Sequence, residues 1–144
     1  EWVNQASLGF LREVRRYSTV NFVVFGERAI RYVCGGGYGV LVRGGEIYTF
    51  SKGDPFIGLR RRPYTEFELS FDADDLLAMY TDGLVEAKNA DGEDYSSRRL
   101  NSLIREHARE PVDDILRRCV DDYHEFRRAD TDDITLIILR RRVG

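Results

Sequence analysis

Two short apolar runs, Leu76–Tyr80 and residues 134–139, set the tightest limit on how this chain can fold. Each is too short for a buried helix and too apolar for a surface loop, so both read as strands of a sheet. The second is so uniformly apolar that it is expected at the centre of a sheet, covered on both faces. The first run ends abruptly in Thr81-Asp82-Gly83, and the second is preceded by Asp132-Asp133. A glycine directly after Asp82 permits a tight turn, with the carboxylate pointing into a site while the chain swings away. An ordinary Asp-Gly turn explains the first motif equally well, so the two motifs have to be weighed together.

The 144 residues, 42% hydrophobic and 33% charged, suffice for a single domain over 1–144 with a sizeable core. A formal charge of −3 gives no net pull toward nucleic acid or an anionic membrane. Lysine occurs only at Lys52 and Lys88; the clusters Arg60-Arg61-Arg62 and Arg140-Arg141-Arg142 read as solvated ends rather than phosphate grips. No apolar run approaches the roughly 20 residues of a membrane span and no signal-peptide pattern opens the chain, so a cytoplasmic protein is expected. Cys34 and Cys119 have no CxxC partners and read as buried thiols. His107 and His124 lack the spacing of a zinc pair or an HExxH box. The chain starts at Glu1 without methionine, as a piece cut from something longer would.

The rest of the chain reads as an α+β pattern. Residues 4–17 carry apolar positions at helical spacing behind Asn4 as a candidate cap. Two hairpins follow, one with its break at Gly26-Glu27 and one with its turn at Gly44-Gly45. Between them lie four glycines in five residues, Gly35 to Gly39. They open a strand rather than a helix, which excludes a P-loop and leaves a bulge or a close approach of another group. Pro55-Phe56-Ile57-Gly58-Leu59 is an apolar clip that would pin a surface loop, and residues 64–70 alternate as a half-buried strand. Residues 89–94 fail as a calcium loop, because placing Gly92 at the sixth position puts Ala87 and Arg98 where acidic ligands are needed. Ser96 or Ser97 then caps a helix striped by Leu100, Leu103, Ile104 and His107. Pro111 starts another, with Val112, Ile115, Leu116, Cys119, Val120 and Tyr123 on its inner face.

If the two apolar strands are antiparallel neighbours, Asp82, Asp132 and Asp133 gather at one edge of the sheet. Clustered carboxylates repel one another unless a cation neutralises them, so a divalent-metal site is their natural use. All-oxygen ligands favour Mg²⁺ or Mn²⁺ over zinc.

The ordered set Tyr80-Thr81-Asp82-Gly83-Leu84-Val85-Glu86-Ala87, Asp91-Gly92-Glu93, two helices and Asp132-Asp133-Ile134-Thr135 resembles the C-terminal part of the SpoIIE-type branch of the metal-dependent (PPM) serine/threonine phosphatases. The 55–59 clip and the hairpin read around the small-residue turn in 32–42 resemble segments of that branch too. The resemblance implies an αββα sandwich of two mainly antiparallel sheets. It implies Asp82 and Asp132 as metal ligands, with Gly83 as the turn glycine and Asp133 in support. It further implies a two-metal Mn²⁺ or Mg²⁺ centre that activates water against a phosphoserine or phosphothreonine. The expected substrate is a phosphorylated regulatory protein such as an anti-sigma-factor antagonist.

The family's early strands supply a bridging aspartate and an Asp-Gly-x-Gly segment that do not occur in these 144 residues, so the fold is expected to be incomplete on its N-terminal side. Cys34-Gly35-Gly36-Gly37-Tyr38 also departs from the Ala-Gly-His text usual in the branch. Two alternatives follow: a phosphatase-like module that binds a partner without a complete metal centre, and a β-rich domain with incidental acidic turns. Sheet edges meant for missing strands would associate, which predicts a homodimer.

Overall fold

The computed structural model describes residues 2–50, 54–59, 63–128 and 133–142. In chain order the elements are α1 (Trp2–Glu13), β1 (Val20–Phe25), β2 (Ala29–Gly35), β3 (Tyr38–Arg43), β4 (Glu46–Thr49), β5 (Phe67–Ser70), β6 (Leu76–Tyr80), α2 (Asp82–Val85), α3 (Ser97–Glu106), α4 (Val112–Phe126) and β7 (Leu136–Arg140). They fall into two compact units. One is made of Glu1–Tyr38 and Phe50–Asp72, the other of Gly39–Thr49 and Ala73–Gly144.

In the first unit β1, β2 and β5 form an antiparallel sheet in that order. β-branched and aromatic residues suit this pleated surface, and Ile30 on β2 is fully buried. The strand predicted over 64–70 is shorter than its alternation suggests: only Phe67–Ser70 pairs, and most of it is exposed. Asn4 is not the cap of α1. The helix begins earlier at Trp2, and Asn4 is 2% exposed, with its Oδ1 accepting the Gly58 N–H at 3.0 Å. Together with the paired Ser18 and Ile57 backbones (3.0 and 2.8 Å), that bond pins the 55–59 clip as its apolar sequence predicts.

The glycine run does not close a hairpin, because β2 and β3 lie in different sheets. Gly36 adopts φ +73°, and a Cβ there would fall inside the Phe56 ring. Gly37 leaves room for the Asn21 amide, which donates to the Tyr38 carbonyl at 2.6 Å. Both close approaches are therefore made by side chains of this chain.

The second unit holds a four-stranded sheet in the order β4-β3-β6-β7. β3 and β4 form the expected hairpin through Gly44-Gly45. β6 is buried except for half-buried Met79 and pairs antiparallel with β7, from Leu76 opposite Arg140 to Tyr80 opposite Leu136. β7 is not central as its apolar run predicts. It ends the sheet, with Ile138 buried while Ile137 and Leu139 are 43% and 37% exposed. A run of apolar residues shows that both faces could be covered, but strand order decides whether they are.

α3 begins at Ser96, whose Oγ accepts the Arg99 N–H at 3.4 Å, and α4 packs on α3 and β7. Ile115, Cys119 and Tyr123 form the buried stripe of α4. Burial, and then Asp122, push the Cys119 thiol up to about 12, so it stays protonated and unreactive. Asp122 holds the two helices' polar margin: Arg99 donates to it at 2.8 and 2.6 Å, and the buried Tyr95 hydroxyl donates at 2.6 Å. At the start of β6, Asp75 is 3% exposed and grips Arg43 through both carboxylate oxygens, at 3.0 and 3.1 Å from Nε and 2.6 Å from Nη2. The acid-rich turn text of residues 72–75 conceals this pair, because nothing local marks one of its three aspartates as buried. Among the described residues, no helix is long and apolar enough to cross a membrane.

Asp75→Asn should destabilise the protein by about 2–3 kcal/mol in urea unfolding, since it removes the charge that matches the half-buried Arg43 guanidinium. Hydrogen bonds from Arg99 and Tyr95 hold the Asp122 carboxyl below the usual carboxylate range. A depressed folded value means that its stabilisation is complete above the unfolded carboxylate pKa, near 4, and is lost as pH falls through the folded value. Asp122→Asn should therefore flatten the fall in melting temperature below about pH 4, measured by circular dichroism.

Candidate metal centre

The site is built where β6 and β7 run out. Their register continues one step past the strands, so that Thr81 faces Thr135: the Thr81 N–H donates to the Thr135 carbonyl at 3.1 Å, and the Thr81 Oγ1 accepts the Thr135 N–H at 2.9 Å. Asp82 follows Thr81 as the first residue of α2, and Asp133 lies two residues before Thr135 on the approach to β7. Both are thus delivered to the same edge of the sheet, as antiparallel neighbours require. Asp132 lies outside the described residues.

After Thr81 the chain does not make the expected tight turn. Gly83 sits instead in the first turn of α2, where it is buried between Asp82 and the buried Leu84 and Val85. The Leu84 N–H donates to the Thr81 carbonyl (3.3 Å) and the Glu86 N–H to the Asp82 carbonyl (2.9 Å), which closes that turn. Burial of Leu84 and Val85, at 3% and 5% exposure, makes one helical turn worth more than a hairpin bend. Asp-Gly alone could not reveal this, but the apolar pair that follows is a signal that could have.

Asp82 is half-buried and Asp133 exposed. Asp82 Oδ1 accepts the neighbouring Gly83 N–H at 3.1 Å, its sole hydrogen bond among the described residues. Its other oxygen makes no hydrogen bond among the described residues, and a carboxylate oxygen is a hard donor suited to Mg²⁺ or Mn²⁺. Among the described residues no three His, Cys, Asp or Glu side chains come together to hold a metal ion. What is described thus fits one ligand position and not a closed cage. Thr81 and Thr135 are the residues that sequence reading missed. Their pairing depends on register and becomes visible only once β6 and β7 are aligned.

Residues 5–142 match the family model described as Stage II sporulation protein E (SpoIIE). The chain belongs to the SpoIIE family. No curated protein sequence matches it. Among solved structures, the SiaA-PP2C domain of Pseudomonas aeruginosa superposes with a TM-score of 0.84 at 22% identity, over 96% of this chain and 57% of that one. The serine/threonine phosphatase PstP/Ppp of Mycobacterium tuberculosis gives 0.70 at 15% identity, over 97% and 68%. The phosphatase domain of SpoIIE from Bacillus subtilis gives 0.63 at 16%, over 97% and 67%. These likenesses establish the fold as that of PP2C-type (PPM) phosphatase domains, an α+β fold with antiparallel sheets. The chain spans a little over half of the SiaA domain and about two thirds of the other two. The catalytic domain of PstP is also known in complex with two manganese ions, with a TM-score of 0.65 at 16% identity, over 94% of this chain and 65% of that one.

Because an amide oxygen can keep the bond to the Gly83 N–H, Asp82→Asn should leave the metal-free melting temperature within about 1 °C of the parent in differential scanning calorimetry. A fall of several degrees would mark Asp82 as a structural residue.

Proposed function

We propose that this SpoIIE-family chain carries part of the active site of a metal-dependent protein serine/threonine phosphatase, with Asp82 and Asp132 as metal ligands and Gly83 and Asp133 in support. The observation that supports this best is the β6–β7 register, which brings the half-buried, incompletely bonded Asp82 carboxylate to the sheet edge that also bears Asp133. Divalent ions, Mn²⁺ or Mg²⁺, when bound would supply an activated water and neutralise charge on the phosphoryl oxygens. The chain's own contribution is to hold Asp82 in place: β6 is buried beneath it, and α2 is anchored by Leu84 and Val85 beyond it. The substrate in this reading is a phosphoserine or phosphothreonine of a cytoplasmic regulatory protein, of the anti-sigma-factor-antagonist kind.

A second reading has its own support. With no group of three metal-binding side chains among the described residues, the same fold can serve as a module that binds a regulatory partner without turnover. The exposed Ile137 and Leu139 on the end strand β7 favour self-association in either case.

Calorimetric titration with Mn²⁺, paired with p-nitrophenyl phosphate turnover, separates the readings. With both measured on this chain and on a version extended upstream, the phosphatase reading expects Mn²⁺ binding and turnover in the extended version, both lost in Asp82→Asn. Binding without turnover supports the module, and identical Mn²⁺ affinity in parent and Asp82→Asn overturns the metal site altogether.

A further inference from the structure

We infer that Thr81 is a positioning residue, whose hydroxyl holds the Asp133 strand end in register with Asp82 at the point where the chain leaves the sheet. In an antiparallel ladder, two residues of a hydrogen-bonded pair exchange both N–H···O=C bonds. Thr81 and Thr135 make only one of these, from the Thr81 N–H to the Thr135 carbonyl at 3.1 Å. The Thr81 carbonyl is turned to another use, because it accepts the Leu84 N–H at 3.3 Å and starts α2. The Thr135 N–H would then be left without its ladder partner. Thr81 Oγ1 takes that place, accepting it at 2.9 Å, and its hydroxyl hydrogen is directed to the Asp133 carbonyl at 3.5 Å.

One side chain thus lets the strand turn into a helix at Asp82 while the opposite strand stays paired. Threonine suits both demands: its β-branch fits the pleat, and its hydroxyl both accepts and donates. Valine has nearly the same shape and can do neither of the hydrogen-bonding tasks. Thr135 is exposed, so water can hydrate its N–H when the hydroxyl is removed, and the cost to global stability is small. The loss falls on geometry, in the placement of Asp133 against Asp82.

The inference rests on the metal-site reading for its consequence and on the hydrogen bonds alone for its cause, and the two are tested apart. In metal-free protein, amide exchange followed by NMR should show the Thr135 N–H of Thr81→Val exchanging about tenfold faster than in the parent, with the β6–β7 centre at Ala78 and Ile138 unchanged. Mn²⁺ titration should show an affinity about tenfold weaker in Thr81→Val. Thr81→Ser, which keeps the hydroxyl, should restore both. Unchanged exchange at Thr135, or failure of serine to restore it, overturns the inference. Normal Mn²⁺ affinity in Thr81→Val beside weakened affinity in Asp82→Asn overturns the positioning role alone. If Asp82→Asn also binds as the parent does, the metal reading has failed and the positioning role falls with it, while the exchange data still decide who closes the ladder.

Discussion

The antiparallel register of β6 with β7 is the constraint on which the rest of the second unit depends. On β7 Ile138 is buried while Ile137 and Leu139 are exposed, and a slip of one residue would turn Ile138 outward and those two inward. Burial therefore fixes the pairing, and the pairing fixes what stands at each end. The ladder runs beyond the strands in both directions. At one end the Arg141 N–H donates to the Asp75 carbonyl at 3.0 Å, and at the other Thr81 meets Thr135. Between these limits β6 has no freedom to carry Asp82 anywhere else.

Polar groups secure both ends of that ladder, by different means. The Asp75 end is closed by a bidentate pair with Arg43, which ties β6 to its other neighbour, β3. Nearer the Asp82 end, the buried Tyr80 hydroxyl donates to Asn101 Oδ1 at 3.0 Å and fastens the strand to α3. Each of these groups is buried or half-buried and satisfied, which is the condition under which a polar contact adds definition to a core without a large penalty. Among the described residues, the edge strand β7 leaves Ile137 and Leu139 exposed. Its stability must come from pairing with β6 and from α4 on the side of Ile138.

Much of this was legible in the sequence where local patterns and tertiary context agree. The hairpins, the Ser96 cap and the α4 stripe announce themselves through period and turn chemistry, and the fold class follows from them together with the family motifs. Two of the failures have a common cause: they concern residues whose role is set by a partner far along the chain. Asn4 looks like a cap until Gly58, 54 residues away, claims its side chain. Residues 134–139 look central until strand order puts β7 at the end. Gly83 looks like a turn because nothing in Asp-Gly tells how deeply the next two residues are buried. At the site, Asp82 could be singled out from its strand-end position. The Thr81–Thr135 exchange could not, since it exists only once two strands 54 residues apart are aligned.

Two structural acids of this chain show how Asp82 differs from them. Asp75 and Asp122 are heavily bonded carboxylates, each met by an arginine in a bidentate grip. That is how a protein disposes of a carboxylate it uses for structure: the charge is matched and nothing is left over. Asp82 is held as firmly in its backbone, between a buried strand and a buried helical turn, yet among the described residues its carboxylate meets only the N–H of the next residue. The backbone of Asp82 is ordered while one carboxylate oxygen makes no hydrogen bond among the described residues. The same combination is what a cation ligand requires, because the geometry must be fixed in advance and the lone pairs must remain available.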